Sequence, residues 1–266
     1  MKALLVVMLV ALAAPAVASA HGRSEPVATN FEARITAYDG ITAKIVDGDQ
    51  RLWVRAHPAE TILVPTFPVS HIVSGGHSYL WHEHRLHALE PVTRARATPW
   101  TVPLVVDGKP RTLVGVLDYH PPGRTWLWLS LASLLALTGA TVALRNGRSA
   151  IRLALLATPV ICAVRIAREL YGRPNVGVTG YLEVVATSAV GAWVLYGLVN
   201  RNPDVRVFTA VVAGLAGLYQ GLTMVPVLTH AIALTLLPTT AAKILVAGSL
   251  GLGAAALTGG VREQLR

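Results

Sequence analysis

Eight of the nine histidines of this 266-residue chain fall between positions 21 and 120, and three of them crowd into one run, Trp81-His82-Glu83-His84-Arg85-Leu86-His87. Neutral imidazole favours copper, zinc or nickel over magnesium or calcium. Residues two apart on a strand share a face, so a strand over residues 78–85 would set His82 and His84 within reach of one metal ion. His87 joins them if the strand ends near Arg85 and the chain turns. His77, after Gly75-Gly76, or His21 would complete a three- or four-ligand set. Copper(II) or zinc suits such donors, because the single cysteine, Cys162, lies in an apolar run and supplies no thiolate cluster. Glu83 and Arg85 are expected on the opposite face as a pair, with Trp81 turned into the core. Surface or hydrogen-bonded packing roles would use the same histidines, and both readings stay open here.

His21 owes its place in that set to the segment before it. Met1-Lys2, an apolar stretch over residues 3–13 and Ala18-Ser19-Ala20 have the form of a signal peptide over residues 1–20. Cleavage there leaves His21 as a free N-terminus, whose α-amino group and imidazole can chelate one copper ion together.

The elements that must position the histidines read as an all-β, sandwich-like outer domain over residues 21–123. Hydrophobicity alternates with period two in short runs broken by turn pairs. Strands are expected over residues 31–38, 41–46, 51–55 and 61–64, with turns at Asp39-Gly40 and Asp47-Gly48. Residues 101–106 and 112–117 form a hairpin about Asp107-Gly108, a strong local hairpin signal. Six to eight short strands in about a hundred residues suit a β-sandwich.

The run from Trp81 to His87, followed by Trp100-Thr101-Val102-Pro103-Leu104-Val105-Val106-Asp107-Gly108, resembles an uncharacterised family of bacterial membrane proteins. Its members have a signal peptide, an outer β-domain carrying a W-H-[DE]-H-R-x-H motif, and C-terminal transmembrane helices. The resemblance covers most of residues 30–130 and implies architecture, with no activity attached.

Residues 124–266 read as a transmembrane domain. The chain is 53% hydrophobic and 14% charged, with a mean hydropathy of +0.52, too apolar for an ordinary soluble enzyme. Spans are expected at about 125–144, 150–166, 179–199, 207–227 and 231–257, each near the ~20 residues a bilayer needs. The last contains Pro238 and should tilt or kink. Of the net charge of +9, the outer domain contributes none, with ten Lys/Arg against ten Asp/Glu, while residues 124–266 hold twelve against four. Arg145, Arg148, Arg152, Arg201, Arg206, Arg262 and Arg266 fall in the segments expected inside, against Arg168 and Arg173 outside, as the positive-inside rule requires. This places the chain in a bacterial plasma membrane, N-terminal domain outside and C-terminus cytoplasmic. Polar groups within the spans are Arg165, Glu183, Gln220, His230 and Lys243. An Arg165–Glu183 pair is the economical arrangement, Gln220 and His230 should share a depth, and Lys243 should lie deeper.

A bound transition metal, copper or zinc, in an exported membrane protein is therefore the leading expectation, with metal homeostasis as its use. The alternative is an envelope scaffold whose β-domain docks to another protein and whose histidines are structural. No serine nucleophile motif, phosphate-binding glycine loop or His-Glu-x-x-His helix is present, so an enzyme is not expected. The neutral outer domain offers no basic patch for nucleic acid.

Overall fold

The computed structural model describes residues 27–46, 51–65, 70–86, 97–171 and 178–265. Its N-terminal part is built from strands: β1 (Ala28–Thr29), β2 (Phe31–Ala37), β3 (Thr42–Val46), β4 (Arg51–Arg55), β5 (Thr61–Val64), β6 (His71–Ser74), β7 (Ser78–His82), β8 (Ala97–Val106) and β9 (Lys109–Tyr119). β2 to β9 form two antiparallel sheets, ordered β2-β9-β8-β5-β6 and β3-β4-β7. Alternation puts Trp100, Val102 and Leu104 of β8, Leu113 and Leu117 of β9, and Leu52 and Val54 of β4 on inward faces. Both sheets contribute to one buried cluster that also takes in Ile62, Val64, Trp81 and Leu86.

Two-residue turns set the connections. Asp107-Gly108 joins β8 to β9 with φ of 50° and 74°, the double positive φ that matches strand twist. Asp107 also ties this tip to β5, donating from its N–H to Thr61 O and accepting from Thr61 N–H on Oδ1, each at 2.9 Å. Asp39-Gly40, with φ of 46° and 79°, carries the chain from one sheet to the other. The strand at 71–74 was not anticipated by the alternation.

Six helices follow among the described residues: α1 (Thr125–Arg145), α2 (Gly147–Glu169), α3 (Val178–Val199), α4 (Pro203–Thr223), the short α5 (Val225–Thr229) and the long α6 (Thr239–Gln264). All but α5 are long and apolar enough to cross a membrane. Large side chains such as Leu134, Leu137, Leu156, Leu182, Val185 and Tyr196 face outward. So large an apolar exterior is at home in lipid and not in water; the chain is a multi-pass membrane protein.

Helix α6 is the hub. Its glycines let neighbouring backbones come close, as membrane helix pairs require: a Cβ on Gly253 would lie 2.7 Å from Leu218 N in α4, and one on Gly259 would lie 2.9 Å from Ala143 Cβ in α1. Ser249 Oγ donates across to Gly217 O at 3.0 Å.

The fifth span differs from expectation. Residues 231–238 are not helical: β10 (Ile232–Ala233) lies there, and Pro238 caps α6 instead of kinking it. The fourth span likewise ends at Thr223, and Met224 separates α4 from α5. The reason is tertiary. β10 pairs antiparallel with β1 from the other end of the described chain, so its polar backbone is satisfied without a helix.

Candidate functional site

β7 is an edge strand of the three-stranded sheet, and its last residue, His82, stands opposite Arg51 of β4. The strand ends there, not at Arg85, and residues His84–Leu86 form a single 3-10 turn, closed by Leu86 N–H donating to Glu83 O at 3.1 Å. Trp81, Glu83 and Leu86 are buried, and His82, His84 and Arg85 are exposed. Leu86 drives the turn, because its side chain is wholly enclosed in the core.

Glu83 is the bracket of this turn. Its carboxylate accepts from Trp81 Nε1–H at 3.0 Å and from Arg85 N–H at 3.1 Å, and the Arg85 guanidinium lies 3.8 Å away. A buried carboxylate needs such partners. With both oxygens engaged, Glu83 positions its neighbours and is not a free ligand. The two histidines on either side are thereby presented together, ring centroids 4.9 Å apart in edge-to-face orientation. Two imidazoles binding one ion at adjacent positions, with metal–nitrogen distances of about 2.0–2.1 Å, would have centroids about 5 Å apart.

The other candidate ligands are placed differently. His77 precedes β7, five residues and about 16 Å of strand from His82, and its backbone carbonyl is bonded to Ala56 N–H. It cannot join the pair. His87 and His21 lie outside the described residues. Among the described residues, no group of three or more His, Cys, Asp or Glu is arranged to hold a metal. His71 stacks on Tyr79 at 4.3 Å, and Tyr79 on Trp81 at 5.6 Å, making a packed ladder behind the turn. His120 lies 3.3 Å from Glu32.

The polar residues of the helices do not gather into one pocket. Arg165 pairs with Glu169, one turn along its own helix, at 3.2 Å, and not with Glu183, which is exposed on α3. A partner on the same helix is fixed at helical spacing, whereas Glu183 would have had to reach across from α3. His230 is held by its Nδ1, 2.8 Å from Pro226 O and 3.0 Å from Thr229 Oγ1. Gln220 is buried in the last turns of α4. Because Gly221 meets Leu250 and Gly217 meets Gly253, Gln220 is level with the middle of α6, not with His230 beyond α5. Lys243 sits only in the second turn of α6, since the helix starts at Thr239. It is therefore shallower than expected.

Asn30 was not singled out in the sequence, yet it joins the two halves. Its backbone O accepts from His120 N–H and its Oδ1 from Ala231 N–H, both at 2.8 Å. No local pattern marks a residue whose partners lie 90 and 201 positions away. Compared with protein-family models, curated proteins and solved structures, the chain matches none.

Proposed function

We propose that this chain is an exported protein of a bacterial plasma membrane whose β domain, on the outer face, binds copper or zinc through His82 and His84 in metal homeostasis. The observation that carries this reading is the pair of exposed imidazoles 4.9 Å apart, set by a buried carboxylate between them. Such a shell, in which a carboxylate orients ligands without binding the metal, is how proteins fix metal sites. The remaining positions fall to His87, to a mature N-terminus at His21, or to water. The motif W-H-E-H-R-L-H shared with the bacterial membrane-protein family it resembles, the signal-like first 20 residues and the arginine-rich C-terminal side of the helices support the location and orientation.

The test is titration of the full chain in detergent, stripped of metal, with copper(II) and zinc. One ion should bind per chain, and the His82→Ala/His84→Ala double variant should bind at least about tenfold more weakly with unchanged thermal stability. Equal binding by the variant overturns the proposal. A second reading, an envelope scaffold, is favoured by Ile72, 72% exposed on the edge strand β6, where an added strand could pair. Loss of fold, with no change in metal, on His84→Ala would favour it.

A further inference from the structure

The β domain is neutral as a whole, but its charges are not evenly laid out. Arg34 and Arg111 of the five-stranded sheet have carboxylate partners: Arg34 meets Asp118, and Arg111 lies 3.0 Å from Asp39. The outer face of β3-β4-β7 is different. Alternation sends Ala43, Leu52, Val54 and Trp81 into the core, so the residues between them turn outward. Register sets these in rows across the three strands: Thr42, Arg55 and Ser78 in one, Lys44, Trp53 and Leu80 in the next. Thr42, Lys44, Arg55 and Ser78 are exposed, and Trp53 and Leu80 are half-buried.

Two cations on this face lack a carboxylate. Lys44 makes neither ion pair nor hydrogen bond among the described residues, and its Nζ lies 4.9 Å from the centre of the Trp53 ring. Arg55 donates from Nε to Gly76 O at 3.2 Å, and its two Nη groups have no partner among the described residues. The two are diagonal neighbours across β3 and β4, about 7–8 Å apart at the backbone. No Asp or Glu occupies either row. Trp53 is thus an apolar platform ringed by donors, and an exposed cation–π contact is weak enough to give way to a ligand.

The position of Trp53 and Arg55 in the sheet narrows the partner. β4 is the middle strand, its backbone engaged by β3 on one side and β7 on the other. An extended peptide is read largely through backbone pairing at a sheet edge. Here recognition must pass through side chains alone. Hydroxyls from Thr42 and Ser78, cations from Lys44 and Arg55, and one indole suit a sugar ring that carries a carboxylate. The C–H face of such a ring packs on the indole, whose π face is negative. Its hydroxyls exchange hydrogen bonds with the threonine and serine, and its carboxylate takes the guanidinium fork.

We propose that the outer face of the three-stranded sheet, centred on Trp53 with Lys44 and Arg55, binds an acidic polysaccharide through its carboxylated sugar rings. None of these residues belongs to the turn that carries His82 and His84, so the site stands or falls independently of metal binding.

The test uses the full chain, stripped of metal, in an uncharged detergent without a sugar headgroup. Tetragalacturonate is the probe, with maltotetraose as its neutral counterpart and tetraglutamate as an acidic peptide. Calorimetry and tryptophan fluorescence follow binding. Wild type should bind tetragalacturonate more tightly than either comparator, with an affinity that falls as sodium chloride rises. Lys44→Gln/Arg55→Gln should bind it at least about tenfold more weakly. Trp53→Ala should bind about fivefold more weakly, and Trp53→Phe should retain most of the affinity. The Tm of the doubly substituted chain should stay close to wild type, because both positions are exposed. If that chain does not fold, Lys44→Gln alone, which breaks no hydrogen bond, takes its place. No binding by wild type, equal binding of maltotetraose or tetraglutamate, or equal binding by the charge-removed variant that folds overturns the proposal.

Discussion

Glu83 shows how much one side chain decides. Its carboxylate holds the Trp81 indole and the Arg85 amide at once, so His82 and His84 owe their spacing to a residue that is not a ligand. Replacing it leaves a buried N–H without an acceptor, at about 1–3 kcal/mol. Glu83→Ala should therefore lower the thermal stability of the β domain, followed by tryptophan fluorescence, and weaken metal binding as well. His82→Ala and His84→Ala change exposed groups and should leave stability within about 0.5 kcal/mol. The inward Trp81 was legible from period-two alternation. The Glu83–Arg85 pair and the approach of His82 to His84 were expected of a strand running to Arg85, but are made instead by a 3-10 turn that leaves Arg85 exposed like the histidines. The separation of His77 was not legible. β7 begins at Ser78 as expected, and its extended pairing with β4 carries His82 away from His77.

Among the elements, the hairpin of β8 and β9 and the helix α6 were read with unequal success. Asp107-Gly108 announces its own turn, because few residue pairs adopt positive φ twice. The start of α6 was misplaced by eight residues, since residues 231–238 are as apolar as a span and hydropathy does not see hydrogen bonds. The packing of α6 is instead written in its small residues. Gly253→Leu should force α4 away, because a Cβ there already meets the backbone at Leu218 N and, 2.8 Å away, at Gly217 C. Overpacking of that kind costs about 1–3 kcal/mol or more. Gly248→Ala, whose Cβ would find only Val160 Cγ1 at 4.0 Å, should be tolerated. Thermal melts of both variants in detergent separate the two cases.

For the whole molecule, the decisive contact joins its extremes. β1 reaches from the β domain into the cluster of Ala132, Val164, Met224 and Leu228, where Ala28 is buried. Its pairing with β10 and the two bonds of Asn30 make the β domain continuous with the segment that covers α6. Asn30→Ala removes the acceptor of Ala231 N–H. Hydrogen exchange at Ala231 should then quicken by about tenfold, while the amides of β8 and β9 stay as protected as before. Unchanged exchange at Ala231 would show that the junction does not depend on this bond. The sequence by itself determined a β-rich half and five apolar helices, because alternation, turn chemistry and hydropathy are local properties written residue by residue. Only the tertiary structure decided that residues 231–238 are not helical and that Asn30 bonds Ala231. Each of those depends on a hydrogen bond or close packing between segments far apart in the chain, and such partners leave no local periodicity.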